Sequence, residues 1–260
     1  MGTGSGVISV ESVGAMWADT AELAAVNTAE REFSPYGPSH WAVLAVFAIG
    51  SAALVCIGRH QSESQARLLR RVLAALTAAI YGAGRVYLLL PPTIAASVPL
   101  RLTDLATVTV AYAFWSQRHW AFALTYYWGL VLSTQALISP VLYAPDFPSY
   151  QFLGFWAIHL LVVWAAIYLT FGRGMRPRWR SYRIAVITTL IWAAVTFTFN
   201  TCAGTNYGFL NRKPATSTLL DVLGRWPVYL LTGGTLILII WALMTWPWER
   251  KRRHKGKQLH

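Results

Sequence analysis

The sequence is poor in charge for its length, and this excludes a soluble globular protein. Charged residues make up 12% of the 260 residues, whereas hydrophobic residues make up 55% and the mean hydropathy is +0.43. A soluble fold of this size needs more polar residues to cover its surface. The composition therefore predicts a polytopic helical membrane protein.

Cysteine is also scarce, and no cluster of metal ligands stands out. The two cysteines, Cys56 and Cys202, fall near opposite membrane faces of the topology given below. They therefore form neither a disulfide framework nor a zinc motif, and we expect no metal and no cofactor. The N-terminus has no cationic stretch followed by an apolar core, so no cleavable signal peptide is predicted.

Positive charge is plentiful, with a formal net charge of +12, but its distribution argues against binding to nucleic acid. The arginines cluster in short segments between apolar runs, and the most basic segment spans residues 173–183. This is the positive-inside pattern of membrane proteins. Topology thus accounts for the charge without a polyanionic partner.

Apolar segments alternate with these loops and predict an all-α bundle of seven transmembrane helices, with the N-terminus outside and the C-terminus in the cytoplasm. The predicted spans are 41–58, 68–90, a third ending near 115, 120–142, 150–171, 184–199 and 226–246. The chain divides into an extracytoplasmic N-terminal segment (1–37), the seven-helix domain (38–248) and a basic cytoplasmic tail (249–260). We find no internal repeat and no second domain.

A short stretch at the mouth of the third span carries a cation, a hydroxyl and a carboxylate, namely Arg101, Thr103 and Asp104. Ionisable groups at membrane depth are costly, so each needs a partner, a wet cavity or a chemical role. Pro99 and the following carboxylate favour a helix start here. The alternative is an interfacial helix start in which the arginine snorkels and the threonine bonds its own backbone.

The topology assigns a depth to the other polar residues of the spans. Arg85 and Gln135 approach the outer ends of the second and fourth spans, and Asn206 follows the sixth. At about 1.5 Å per residue, His159 lies roughly 14 Å along its helix from Tyr150, in the outer half of a core about 30 Å thick. We therefore predict one polar chamber open to the outer leaflet, with scattered interhelical hydrogen bonds as the alternative.

Four spaced motifs carry a resemblance to a known family: SVPLRLTD, STQALISPVL, DFPSYQFLGFWAIHLLVV and NTCAGTNYGFLNRKP. Over residues 33–248 the chain resembles the YwaF family of bacterial integral membrane proteins, which is similar to the vertebrate transmembrane protein 164 acyltransferases. The resemblance implies a seven-span fold in the bacterial inner membrane and, for the vertebrate branch, acyl transfer between phospholipids. It also implies that the histidine of the fifth span, His159, is essential.

One position departs from the family pattern, because Thr103 stands where the acyltransferase branch has a cysteine. The androgen-induced gene 1 lipid hydrolases, which are similarly polytopic, use a threonine and a histidine. We therefore predict a lipid acyltransferase or lipid-ester hydrolase in which Thr103 attacks an acyl ester and His159 acts as general base. The expected partners are membrane phospholipids or other acyl lipids.

The remaining site residues are expected to bind this lipid: Arg85, Arg101, Asp104, Gln135 and Asn206. The arginines would hold a phosphate and the amides would steady the oxyanion. The carboxylate would neutralise an arginine or orient the histidine. A non-catalytic lipid-binding or assembly subunit, a transporter and a seven-span receptor are the alternatives, and the apolar inner halves of the spans count against a transporter.

Overall fold

The structure is a computed structural model that describes residues 32–215 and 218–257, and within these ranges the regular elements are all helical. Seven long helices follow one another: α1 (Pro38–His60), α2 (Glu63–Leu88), α3 (Leu102–Ser116), α4 (His119–Ile138), α5 (Tyr150–Gly172), α6 (Trp179–Ala203) and α7 (Val228–Lys257). Two 3-10 helices, Tyr207–Phe209 and Leu219–Leu223, lie between α6 and α7. Residues 1–31 of the predicted N-terminal segment lie outside the described residues.

Helices occupy all seven predicted positions, and five of them are long and apolar enough to cross a membrane: α1, α4, α5, α6 and α7 over Val228–Arg250. Helix α3 has 15 residues and rises about 22 Å, less than an apolar core of about 30 Å. Helix α2 has 26 residues but a low mean hydropathy, since Arg67, Arg70 and Arg71 fall in its first turns. A multi-pass, all-helical membrane protein is thus confirmed, while the seven-span count and the orientation of the termini stay predictions.

Local sequence signals explain where the central helices begin. Ser62 opens α2 with a reciprocal cap, because its hydroxyl accepts the Gln65 N–H at 3.3 Å and the Gln65 side chain accepts the Ser62 N–H at 2.8 Å. Ser149 caps α5 by accepting the Phe152 N–H at 3.1 Å. Such caps stabilise a helix start by about 1 kcal/mol each.

Helix α5 is the centre of the bundle and packs against α1, α2, α3 and α4. Its second half is almost continuously buried, and there the Tyr168 ring contacts the Phe114 ring of α3 with centroids 6.2 Å apart. Its first half is more open. We call the end of the bundle that carries residues 89–101, 139–149 and 204–227 the outer end, and the end that carries the arginine-rich loops the inner end.

Close backbone approach fixes how α4 meets α5. A Cβ added to Gly129 would lie 2.9 Å from the Val162 carbonyl oxygen, so only glycine fits there. Helix α4 changes to wider π-helical geometry at this point, over Trp128–Ser133. Interruptions of this kind are common near functional sites, and this one begins beside Val162 and Ala166, at the middle of α5.

Candidate functional site

Arg85 and Asp104 meet where the outer ends of α2 and α3 pack together. The Arg85 Nη1 atom lies 3.8 Å from Asp104 Oδ1, and the two side chains are only 15% and 10% exposed. Arg85 Nη2 donates to the Ser97 carbonyl oxygen. Nη1 is buried and has no hydrogen-bond partner among the described residues. A buried cation with an unfilled donor of this kind is suited to an anionic ligand.

Asp104 is held by the start of α3 and by its ion pair. Its Oδ2 accepts the Arg101 backbone N–H at 3.0 Å, which satisfies one free donor of the helix N-terminus. The Tyr81 hydroxyl faces the same carboxylate. This geometry favours the interpretation in which Asp104 neutralises Arg85 over the one in which it orients His159.

The loop before α3 is anchored by α6 and the segment that follows it. The Tyr207 hydroxyl donates to the Ile94 carbonyl oxygen at 2.8 Å and accepts the Val98 N–H at 3.1 Å. The Trp192 indole N–H donates to the Leu100 carbonyl oxygen at 2.9 Å. These bonds fix the position at which α3 begins, and so they set the position of its first-turn side chains.

Thr103 lies in the first turn of α3, on the stripe that leads into the core through Ala106 and Val110. Its carbonyl oxygen accepts the Thr107 hydroxyl at 2.7 Å. Its own hydroxyl makes no hydrogen bond to the described residues, so the alternative in which Thr103 bonds its own backbone is not observed. The hydroxyl is therefore available to a substrate or a base.

His159 lies in the outer half of α5, one turn outward from the core residue Val162. Its ring contacts Phe155 with centroids 4.4 Å apart. Its Nδ1 atom is buried and has no hydrogen-bond partner within the described part of the chain. Since buried polar atoms are nearly always paired in folded proteins, this nitrogen needs a ligand, a water molecule or a reacting proton.

The contact between Phe114 and Tyr168 gives the relative levels of α3 and α5, which both run from the outer to the inner end. Counting outward from that contact at 1.5 Å per residue, Thr103 lies about 16.5 Å and His159 about 13.5 Å away. The two side chains thus occupy similar depths on packed helices. No hydrogen bond joins them among the described residues, so the catalytic pair stays a prediction.

The other predicted binding residues, Arg101, Gln135 and Asn206, lie on three different segments of the chain. Arg101 is the exposed N-cap residue of α3, next to Asp104. Gln135 is an exposed residue of the outer part of α4. The Asn206 side chain donates to the Arg212 carbonyl oxygen at 2.9 Å and accepts the N–H groups of Asn211 and Arg212. Its amide therefore holds the outer loop together, through its oxygen and one of its two N–H donors, and its role at an oxyanion stays a prediction.

Sequence reasoning missed two residues of the outer half of the bundle, Tyr81 beside the Arg85–Asp104 pair and the buried His40. Tyr81 lies four residues before Arg85, so helical spacing alone could have placed it on the same face. His40 is a fully buried histidine, whose Nδ1 accepts the Tyr36 N–H at 2.9 Å and whose Nε2 donates to the Leu137 carbonyl oxygen at 3.0 Å. It stacks on Trp156 at 5.2 Å. Because both of its ring nitrogens are hydrogen-bonded, His40 has a structural role. The Nδ1 atom of His159, by contrast, has no partner among the described residues.

Comparison with known proteins gives one positive result. The family model described as the TMEM164 family matches residues 35–245, a range that contains each of the candidate site residues. No curated protein and no solved structure matches the chain at a significant level. The matched range covers far more than half of the 260 residues. The chain therefore belongs to the TMEM164 family.

Proposed function

We propose that this protein is a membrane-embedded enzyme that transfers or hydrolyses an acyl group of a membrane phospholipid. Thr103 is the nucleophile and His159 is the general base. The proposal rests on two groups without hydrogen-bond partners among the described residues, the Thr103 hydroxyl and the buried Nδ1 atom of His159, which lie at similar depth on packed helices. These are the two groups that acyl transfer through an ester intermediate requires.

The reaction is written in two balanced steps. The Thr103 oxygen attacks the ester carbonyl carbon while His159 takes the hydroxyl proton. The bond to the lipid oxygen then breaks, and the imidazolium returns the proton to that oxygen to release a lysolipid. A second lipid hydroxyl, or water, next attacks the acyl-threonine with His159 again as base, which restores the threonine and completes transfer or hydrolysis.

Arg85 is the proposed binding group for the lipid headgroup. Its Nη1 atom is buried without a hydrogen-bond partner within the described ranges, and Asp104 keeps the guanidinium from being a lone charge. An arginine bonds a phosphate strongly because the guanidinium carries several N–H donors and a permanent charge. The substrate would enter from the outer leaflet, because Arg85, Thr103 and His159 all lie toward the outer end.

The proposal also includes finer assignments. We infer that the chain is a member of the bacterial YwaF branch and resides in the bacterial inner membrane, with seven spans, an outer N-terminus and a cytoplasmic C-terminus. The support is the motif resemblance and the basic residues of the inner end. This orientation directs the proposed active site toward the outer leaflet.

A second candidate is a lipid-binding or assembly subunit without catalytic activity. The observation that favours it is that no hydrogen bond joins Thr103 and His159 within the described residues. In that case the chamber would hold a lipid through Arg85, and removal of the threonine hydroxyl would leave lipid binding unchanged.

The experiment is lipid mass spectrometry on purified protein incubated with defined phospholipids and lysolipids. Thr103→Ala and His159→Ala are compared with Thr198→Ala and His60→Ala, which change an exposed threonine of α6 and an exposed histidine at the inner end. We expect lysolipid or transacylated lipid from the wild type and from the two controls, and none from the two site variants. If all five proteins behave alike and only retain bound lipid, the enzyme proposal is wrong and the binding subunit is favoured.

A further inference from the structure

Arg70 is a buried cation at the inner end of the bundle, far from the proposed active site. Arg70 lies in the second turn of α2, because this helix begins at Glu63. It is on the same face of the helix as Ala66 and Ala74. Its relative exposure is only 7%, whereas Arg67 and Arg71 beside it are exposed. Snorkelling to headgroups therefore does not describe this arginine.

The Arg70 guanidinium has no hydrogen-bond or ion-pair partner in the part of the chain that the structure describes. Its Nε and Nη1 atoms are buried and have no hydrogen-bond partner among the described residues. The described carboxylates near this end are already engaged, because Glu63 pairs with Arg173 and Glu249 lies 3.6 Å from Arg252. A buried charge without a counter-charge is strongly unfavourable. An anion from outside the protein would supply the missing counter-charge and hydrogen-bond acceptors.

Two ring contacts show what else lies at the depth of Arg70. The Arg71 guanidinium lies over the Trp115 ring at 5.7 Å, and the next ring along α3, Phe114, contacts Tyr168 of α5. Arg70 is therefore level with the last turns of α5, which end near Arg173. Helical side chains lean toward the helix N-terminus, and the N-terminus of α2 lies at the inner end. The Arg70 side chain is thus directed toward the level of Arg173.

Arg173 is a second buried donor of the same region. Its Nη1 atom donates to the Gly58 carbonyl oxygen at 3.2 Å and its Nη2 atom contacts the Glu63 carboxylate. Its Nε atom is buried and unpartnered within the part of the chain that the structure describes. Glu63 pairs with Arg173, so the buried charge of Arg70 is left without a counter-charge among the described residues.

We infer that Arg70, with Arg173 as a second donor at a similar level of the bundle, forms a binding site for a phosphate group at the inner end. A lipid headgroup in the inner leaflet or a free phosphate would supply that group, and arginine is well suited to either. The site is separate from the outer-end chamber, and it does not depend on whether the protein is an enzyme. It would tie the inner ends of α2 and α5 to the membrane surface.

The test measures binding to purified protein that has been delipidated in a maltoside detergent, which contains no phosphate. Phosphatidylglycerol, phosphatidylcholine and inorganic phosphate are added in separate arms, and lipid adducts and thermal shifts give the dissociation constants. Arg70→Met is compared with the wild type and with Arg67→Met, a matched change at an exposed arginine one turn away. If Arg70→Met does not fold, Arg70→Gln takes its place.

We expect at least one phosphate source to bind the wild type and Arg67→Met alike, and to bind the Arg70 variant at least about tenfold more weakly. The arm that shows this difference identifies whether lipid or free phosphate is the ligand. Equal binding by all three proteins, or no binding of any source by the wild type, overturns the inference. The result for Arg70 is independent of the proposed function, because it does not depend on whether Thr103→Ala and His159→Ala lose acyl turnover.

Discussion

Asp104→Asn is the substitution whose effect on stability can be derived most directly from the structure. Asparagine keeps an oxygen that can accept the Arg101 N–H, now held at 3.0 Å, so the start of α3 keeps its cap. The change replaces the Oδ1 that faces Arg85 at 3.8 Å by an NH2 group, which removes the negative charge and leaves a donor facing the guanidinium. Breaking a buried ion pair on one side costs about 3 to 5 kcal/mol, because the other charge is left uncompensated.

The expected loss lies near the lower end of that range. Both side chains keep a little exposure, at 15% and 10%, and Arg85 retains its bond to the Ser97 carbonyl oxygen. We therefore expect the free energy of unfolding to fall by about 3 kcal/mol for Asp104→Asn. Arg85→Met in the same background should restore part of this loss, since residues in one ion pair are coupled by about 1 to 3 kcal/mol.

The assay is reversible unfolding in mixed micelles, followed by circular dichroism for the wild type, the two single variants and the double variant. Asp146→Asn, in the outer loop, is the matched control and should leave the unfolding free energy within about 0.5 kcal/mol of the wild type. Strict additivity of the two single changes would refute the reasoning, because it would mean that Arg85 and Asp104 do not stabilise each other in the folded protein.

Three further predictions follow from the same contacts. His40→Ala should lower the melting temperature strongly, because it leaves the Tyr36 N–H and the Leu137 carbonyl oxygen unpaired in a buried cluster, and a thermal unfolding scan checks this. Gly129→Val should reduce the yield of folded protein on size-exclusion chromatography, because its side chain would overlap the backbone of α5. Asn206→Ala should lower the free energy of unfolding by about 1 to 2 kcal/mol, because its amide bonds residues of the outer loop. Lipid turnover per folded molecule should stay unchanged. Loss of turnover without loss of stability would instead identify Asn206 as an oxyanion donor.

The sequence predicted the helices well because hydropathy and charge along the chain reflect the membrane directly. It also predicted the depth of Arg85, which follows from its position near the end of α2. Arg70 falls near the inner end of the predicted second span, 68–90, and the Ser62 cap starts α2 earlier, at Glu63. The burial of Arg70 could not be predicted, because it depends on which face of α2 packs against the bundle.

Side-chain partners were harder to predict, since they depend on how helices rotate and pack. Asn206 and Gln135 are both amides near the outer end, but one is hydrogen-bonded to its own loop and the other is exposed. His40 and His159 are both membrane-depth histidines, and only the structure shows that one of them has a free ring nitrogen. Residue type and depth identified candidates, while hydrogen bonding separated structural residues from available ones.

The central claim is that the Thr103 hydroxyl carries the acyl group, and replacing that one atom tests it most directly. Thr103→Val keeps the shape of the side chain without the hydroxyl, and Thr103→Cys replaces the oxygen by a nucleophilic sulfur. Each variant is incubated with a phospholipid that carries an isotope-labelled acyl chain, and the α3 peptide is analysed by mass spectrometry. We predict a labelled acyl group on the α3 peptide of Thr103→Cys, lipid turnover by the wild type and no turnover by Thr103→Val. Turnover by Thr103→Val at the wild-type rate would contradict the account.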